Sequence, residues 1–553
     1  MYLLTLHEDS NANITLFRDN KIIFSIAEER LSRKKHQAGY PHRSLAYIKK
    51  KYGVSPDNAT VVICGNRYHP LPRILWQRFP TFEHSFLGIG QKSSVVLQHF
   101  VYKSSLLKRI IEAFNAAMLK KKFGKPVRLI DHHTAHAYSA YITSGFNECV
   151  TISTDNYGDG ISSAVFECKD GECTQLYTSS ALNSPGQFYG ELAQLLGFHP
   201  LMAGKMTGLS AYGNPDSAYE VMKELFALSE NKKDFRLPPL LLKSFDRGIL
   251  KKLKSYTRED IAAAAQKRFE DVMLDYIQHA IALTNMSHVA LAGGIYGNVL
   301  LNKKIASLDT VKEIFIHPGM SDQGISLGVG LTYLAQTNSI KPFRLDNVYW
   351  GPTFDDNEIK GALSQSGLSY SYEENIEFKI AQILSEGKIV ARFNGPLEYG
   401  PRALGNRSIL YQTTDPSVNT WLNKKLHRSA FMPFAPVTLN EYAHQCYENI
   451  EKCRYAAHFM TIAFDCTEWM KKISPGVIHL DGTARPQLIS HENNPSYYKI
   501  VKEYHHITGI PSLINTSFNL HEEPIVTTPH DAIRSFKTAN LDYLAIGNYL
   551  AKN

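Results

Sequence analysis

The chain has 553 residues, 44% of them hydrophobic and 20% charged, with a formal net charge of +8 and a pI near 8.8. That length exceeds a single core and calls for two or more domains, and the composition excludes a disordered or fibrous protein. No apolar run approaches the roughly 18–20 residues of a membrane span, so no membrane is expected as a partner.

Residues 1–6 are apolar but meet His7, Glu8 and Asp9 at once. With no basic segment and no small-residue cleavage site they read as a buried first strand, and a cytoplasmic location is expected. Residues 14–17 and 22–26 flank Arg18-Asp19-Asn20, the pattern of an antiparallel hairpin. Strand-like runs at 61–63, 149–153, 289–292 and 314–316 then alternate with helical stretches at 44–51, 105–122 and 261–283, which predicts α/β layers. No internal repeat is visible. The seven cysteines are scattered; Cys168 and Cys173 flank a turn at Lys169-Asp170-Gly171, lack the second pair that zinc would need, and are expected to be buried thiols. A boundary falls after Lys341-Pro342-Phe343, giving domains 1–345 and 346–553, and residues 359–368 and 380–384 open the second α/β unit.

Asp131-His132-His133-Thr134-Ala135-His136 is the clearest local pattern. On a helix His132 and His136 share one face at i, i+4, where both imidazoles reach one metal ion, while His133 points elsewhere. Paired histidines also cap or pack. Asp155 follows Val150–Thr154 and opens a glycine turn, and Asp322 lies between a strand and the small-residue helix expected at 325–334. Carboxylates at strand ends handle metals and phosphates in α/β folds, and two histidines with two aspartates neutralise a divalent ion. Gly293-Gly294-Ile295-Tyr296-Gly297-Asn298 follows a strand, so its N–H groups suit a phosphate; Gly204-Lys205-Met206-Thr207-Gly208 adds a lysine to a second glycine turn. Plain structural turns read the same way. In the second half, Glu398 to Ser408 places Arg402 and Arg407 around a Gly-Pro turn, and Arg428, Arg485, Ser517 and Asn519 follow in loops rich in Ser, Thr and Asn. Arginine forks hold phosphate in two-pronged fashion, which points to a second triphosphate site; interdomain ion pairs are the other use.

Two basic clusters stand outside these motifs: Lys103, Lys108, Arg109, Lys120, Lys121, Lys122, Lys125 and Arg128, and then Lys243, Arg247, Lys251, Lys252, Lys254 and Arg258. Solvated helix faces or a polyanion groove would both be written so. With the aromatic-basic stretch Arg67-Tyr68-His69 to Trp76-Gln77-Arg78-Phe79 they make DNA an acceptor to test.

Taken in order, His7-Glu8-Asp9-Ser10, Glu28 to His36, the His132–His136 motif, the Asp155 loop, the Gly293–Asn298 loop, Ser321-Asp322-Gln323-Gly324, Glu398 to Ser408, Phe431 to Pro436, His479 to Gln487 and Asn515 to Asn519 closely resemble the NodU/CmcH-type O-carbamoyltransferase family. The resemblance implies an α/β protein with an actin/sugar-kinase-like N-terminal domain, similar to the tRNA threonylcarbamoyl-transfer protein, and a YrdC-like C-terminal domain. It implies that the C-terminal domain makes carbamoyl-adenylate from carbamoyl phosphate and Mg2+-ATP, with Arg402, Arg407, Arg428, Arg485, Ser517 and Asn519 as binding residues. The N-terminal domain would bind the adenylate through Lys205, Gly208, Gly293, Gly294 and Asn298. His132, His136, Asp155 and Asp322 would hold Fe2+ or another divalent metal, and His7 would serve transfer to a hydroxyl on a sugar or natural product. A hydroxymethylated cytosine in DNA is an alternative acceptor, and a threonylcarbamoyl-tRNA factor an alternative role. This chain departs from the family at Met206-Thr207, Tyr296-Gly297, Ser429 and Met432.

Overall fold

The opening strands form where apolar residues flank a tight turn. Asp19 and Asn20 both take left-handed backbone, φ 49° and 65°, the geometry of a two-residue hairpin turn that joins Arg18 to Lys21. β1 (Tyr2–His7), β2 (Asn13–Arg18), β3 (Lys21–Ala27), β4 (Thr60–Cys64) and β5 (Arg128–Ile130) make one sheet, in the order β3-β2-β1-β4-β5. β1 runs antiparallel to β2 and parallel to β4. This computed structural model describes residues 1–64, 89–199, 202–238, 247–337, 339–427 and 433–552. The chain divides into two compact units, Met1–Ile22 with Ala38–Arg344, and Ile23–Gln37 with Leu345–Asn553.

The first unit holds a second sheet. Its strands are β6 (Glu148–Gly158), β7 (Ile161–Lys169), β8 (Glu172–Ser180), β9 (His288–Ala292) and β10 (Glu313–Ile316), in the order β10-β9-β6-β7-β8. β6–β8 are an antiparallel meander, and β9 lies parallel to both β6 and β10. The strand order of the first sheet is thus repeated, although no repeat is visible in the residues. Hydrophobic patterning decides strand pairing and leaves identity free, so a duplicated plan can outlive its sequence signal. Among its helices are α1 (Ile89–Lys103), α2 (Ser105–Phe123), α3 (His132–Ser144), α4 (Gly204–Ser210), α5 (Arg258–Thr284), α6 (Val299–Ala306) and α7 (Ile325–Gln336). α3 and α7 each follow the fifth strand of their sheet and pack on one another. α7 lies against β1, β2 and β4, whereas α3 lies against β6, β9 and β10.

Two sequence expectations change here. Gly204–Ser210 is helical rather than a glycine turn. Cys168 and Cys173 face each other in the β7–β8 register and are joined as a disulfide, not held as thiols, because directly opposed antiparallel residues bring their side chains together. The five other cysteines are buried thiols.

The second unit is built on one mixed sheet. Its strands are β11 (Ser369–Tyr372), β12 (Val390–Phe393), β13 (Arg407–Tyr411), β14 (Ala435–Leu439), β15 (Gln487–Ile489), β16 (Ser512–Ser517), β17 (Tyr543–Ile546) and β18 (Tyr549–Lys552). They lie in the order β11-β18-β17-β12-β13-β16-β14-β15. α8 (Ile376–Ser385) and α9 (Pro495–Thr508) pack on it. α9 begins as helices prefer to, with Asn494 capping Tyr497 N–H and proline in the first turn, and ends at Gly509. Its Tyr497, Ile500, Val501 and Tyr504 share one face and meet Ile380, Ile383 and Leu384 of α8 with Val437 and Leu513 of the sheet. Among the described residues no helix is long and apolar enough to cross a membrane.

Candidate functional site

β1 ends at His7 and β6 carries Asp155 past the last pair it makes with β9, so both side chains emerge at carboxyl ends of strands, where α/β folds place ligands. α3 starts at once after β5. Its N-cap Asp131 accepts from Thr134 N–H, which sets His132 and His136 one turn apart. His133 faces away, toward the Ser153 hydroxyl and the Ile161 carbonyl. Gly158 lies where a Cβ would strike the His132 ring, so the β6–β7 turn closes over the histidine.

His132, His136, Asp155 and Asp322 converge, each offering a ligand atom within 4.8 Å of the others. His136 Nε2 is 3.4 Å from Asp155 Oδ2 and 3.8 Å from Asp322 Oδ1, and His132 Nε2 is 3.7 Å from Asp322 Oδ1. His132 Nε2, His136 Nε2 and Asp322 Oδ1 are buried without a hydrogen-bond partner. Burying such atoms unsatisfied is costly, and their convergence is what a divalent ion would relieve; two imidazoles and two carboxylates fit Fe, Mn or Zn. The electrostatics agree. Burial lowers His132 well below the usual imidazole range, with neighbouring His136 and His133 acting in the same sense. Burial opposes a proton on His136 too, but Asp155 and Asp322 outweigh it and raise that group to about 9. The two carboxylates thus favour positive charge between them.

His7 is buried beside the cluster, its ring 6.2 Å from that of His132. Nε2 meets the Ser10 carbonyl at 3.1 Å, and Nδ1 has no hydrogen-bond partner. Burial lowers its pKa against the pull of Asp322 and Asp9, which keeps the imidazole neutral and able to accept a proton. Sequence reading assigned no role to Ser10 or Asn13, yet Ser10 Oγ donates to Asp322 Oδ2 at 2.7 Å and Asn13 Nδ2 to the Asp322 carbonyl at 2.7 Å. They fasten the β1–β2 turn to Asp322.

Gly293 has φ 106° and would drive a Cβ into the Thr154 backbone, so only glycine fits. Next to it, Gly294 N–H donates to Asp155 Oδ2 at 3.2 Å, which joins the glycine loop to the cluster. Asn298 caps α6 and exchanges hydrogen bonds with Gln266 of α5. Gln266 also accepts from the Tyr189 hydroxyl, which meets Thr207 Oγ1 at 2.7 Å. Through that chain α4, with Lys205 and Gly208, is tied to the Gly293–Asn298 loop. A glutamine at i−4 to Glu270 inside an alanine-rich buried helix was the signal for Gln266.

In the second unit Glu398 organises the Arg402 loop. Its Oε1 accepts the N–H groups of Leu404, Asn406 and Arg407 at 2.8–2.9 Å. Asn515 of β16 donates to the Ala403 carbonyl, and Gln487 of β15 to that of Leu404. Arg402 is thereby brought beside Arg485, which lies two residues before Gln487. Burial lowers Arg402 to about 10 and, with the charge of Arg402, lowers Arg485 well below its usual range. Guanidinium groups keep their protons in proteins, so this crowding of cations favours a bound anion. Arg407 is used otherwise. It is fully buried, donates to the carbonyls of Asn394, Gly395, Asn406 and Pro352, and lies 3.7 Å over the Phe393 ring. These bonds brace the loop. Ser517 ends β16 opposite Ser408, and Asn519 donates to the Leu520 and Glu523 carbonyls. Arg428, Lys243 and the aromatic-basic stretch 67–79 lie outside the described residues.

The first unit is thus a duplicated α/β plan with a His/His/Asp/Asp cluster against a glycine loop, and the second an α/β unit with paired arginines. Two family models, described as carbamoyltransferase N-terminus and carbamoyltransferase C-terminus, match residues 4–331 and 381–553. The chain belongs to this carbamoyltransferase family and is a carbamoyltransferase enzyme. An uncharacterized protein of Methanocaldococcus jannaschii is 32% identical, covering 99% of each chain. The nodulation protein NolNO of Sinorhizobium fredii is 30% identical over 97% of this chain and 78% of that one, and NolO of Bradyrhizobium diazoefficiens 31% over 76% and 79%. Component A of the Acidaminococcus fermentans (R)-2-hydroxyglutaryl-CoA dehydratase aligns at TM-score 0.35 and 15% identity, over 61% of this chain and 99% of that one. At that level the likeness carries no argument, and the α/β fold stands on its own strand order.

Proposed function

We propose that the chain is a cytoplasmic, ATP-dependent O-carbamoyltransferase with a reaction in each unit. In the C-terminal domain, 346–553, Arg402 and Arg485 hold carbamoyl phosphate and the phosphates of Mg2+-ATP, with Arg428, Ser517 and Asn519 completing the site. Carbamoyl phosphate loses phosphate to water and gives carbamate, whose oxygen attacks the α-phosphorus of ATP and expels pyrophosphate. The carbamoyl-adenylate is then used in the N-terminal domain, 1–345. There Gly293, Gly294 and Asn298, with Lys205 and Gly208 of α4, hold the AMP portion. An acceptor hydroxyl on a sugar or natural product attacks the carbamoyl carbon, its proton passes to His7, and AMP leaves. A divalent ion, Fe2+ or one of similar preference, held by His132, His136, Asp155 and Asp322 would supply positive charge for the leaving phosphate.

The observation that carries this reading is the convergence of buried, unsatisfied His132, His136 and Asp322 atoms on Asp155, which itself accepts from the glycine loop. Incubation with carbamoyl phosphate, ATP and candidate hydroxyl acceptors, with mass spectrometry of the products, tests it. The expected product is heavier by one carbamoyl group, with AMP and pyrophosphate formed in step. Formation of AMP and pyrophosphate without consumption of the carbamoyl donor would sink the proposal. Hydroxymethylcytosine DNA and tRNA serve as comparison acceptors, at low and high salt.

A further inference from the structure

The α1–α2 hairpin buries Val95, Val101 and Leu119 yet leaves a second set of apolar side chains facing outward. Phe100 is 60% exposed, Leu106 66%, Ile110 55% and Phe114 48%. On α2, Leu106, Ile110, Ala113, Phe114 and Ala117 recur at the spacing of one helix face, and all are exposed. Exposed Lys120 and Lys121 close that stripe at its C-terminal end, and exposed Lys103 and Arg109 lie at its other end. Glu112 is the sole acid between Ile89 and Phe123. A polyanion groove is lined by continuous cations; this face is a continuous apolar stripe with cations at its margins.

We propose that this hairpin docks the enzyme on an anionic lipid surface. An outward apolar stripe with basic borders is the arrangement that lies in a bilayer interface, burying leucine and phenylalanine among acyl chains while lysines meet anionic headgroups. A second copy of the chain is a poor occupant, since two such faces would bring like charges together. That no described helix could span a membrane is no obstacle, because interfacial binding needs only one helix face. The face is also linked to the catalytic strand: Lys122, in the last turn of α2, lies 3.5 Å from the carboxylate of buried Glu8, the residue after His7, and over the Tyr40 ring.

Co-sedimentation of the full-length protein with vesicles of phosphatidylcholine alone, or doped with phosphatidylglycerol, tests the proposal. The protein is expected to pellet with the anionic vesicles and to be released by salt. The double variant Ile110→Asp, Phe114→Asp should lose about a hundredfold in partitioning. Lys120→Ala and Lys121→Ala should each lose roughly fivefold. Both sets should keep wild-type transfer to a soluble acceptor, which shows that they fold. Three results would overturn the idea: no binding to either vesicle, equal binding of the aspartate variant, or retention of duplex DNA through these residues with no vesicle binding.

Discussion

Glu398→Ala should detach the loop that presents Arg402 while leaving the first unit intact. One carboxylate oxygen of this buried residue takes three backbone N–H groups at 2.8–2.9 Å. Hydrogen bonds to a charged partner contribute about 1.5–3 kcal/mol each. The three share one acceptor and are not additive, so the loss should total about 3–6 kcal/mol. Glu398→Gln keeps an oxygen in place but not its charge, and should cost about 1–3 kcal/mol. Three of the four tryptophans, Trp350, Trp421 and Trp469, lie in the second unit, so fluorescence during urea unfolding reports on it. The expected order of midpoints is wild type, then Gln, then Ala. Pyrophosphate release should fall in the same order, while any metal held by the proposed first-unit ligands should stay unchanged. If the alanine variant unfolds with the wild-type midpoint and releases pyrophosphate at the wild-type rate, the loop does not depend on Glu398 and the reasoning fails.

Other perturbations separate the two units. His7→Ala should spare adenylate formation and cut transfer by roughly 10²–10⁴-fold; loss of both steps in assays of pyrophosphate and product would remove His7 from the transfer role. His136→Ala deletes the nitrogen nearest both carboxylates, so metal measured after gel filtration should fall to background, and retention at wild-type stoichiometry would refute the four-ligand set. Arg402→Lys and Arg485→Lys keep charge but lose the planar fork, and each should raise the KM for carbamoyl phosphate or ATP about tenfold or more with the fold unchanged by circular dichroism. Gly293→Ala should destabilise the first unit by about 2–4 kcal/mol, since its backbone is left-handed and Thr154 occupies the space; thermal unfolding at the wild-type temperature would contradict that geometry.

The legible parts of the fold were those written locally. The run at 289–292 is the heart of His288–Ala292, and the stretch 261–283 falls within Arg258–Thr284, because period and apolar content decide both. Asp155 and Asp322 could be picked out despite 166 intervening positions, since each follows an apolar strand-like run and lies within three residues of a glycine. The repeated strand order was not readable, for it survives in hydrogen bonding and not in residue identity. Gly204 and Gly208 suggested a turn, but Lys205, Met206 and Thr207 between them are compatible with helix, and tertiary packing decided. Ser10, Asn13, Gln266 and Glu398 act by holding other groups, and a holding role has no composition of its own.

The two halves of the first unit contribute to the His/Asp cluster from equivalent places. The first strand of one ends at His7, and that of the other carries Asp155. The closing helix of one begins with His132, and the turn before that of the other holds Asp322. Two identical half-length chains related by a two-fold axis would be forced to put the same residue at both members of each pair. An imidazole would then always face an imidazole, and a carboxylate its own duplicate. Joining the halves in one polypeptide breaks that symmetry, and lets one strand end carry an imidazole while its counterpart offers a carboxylate.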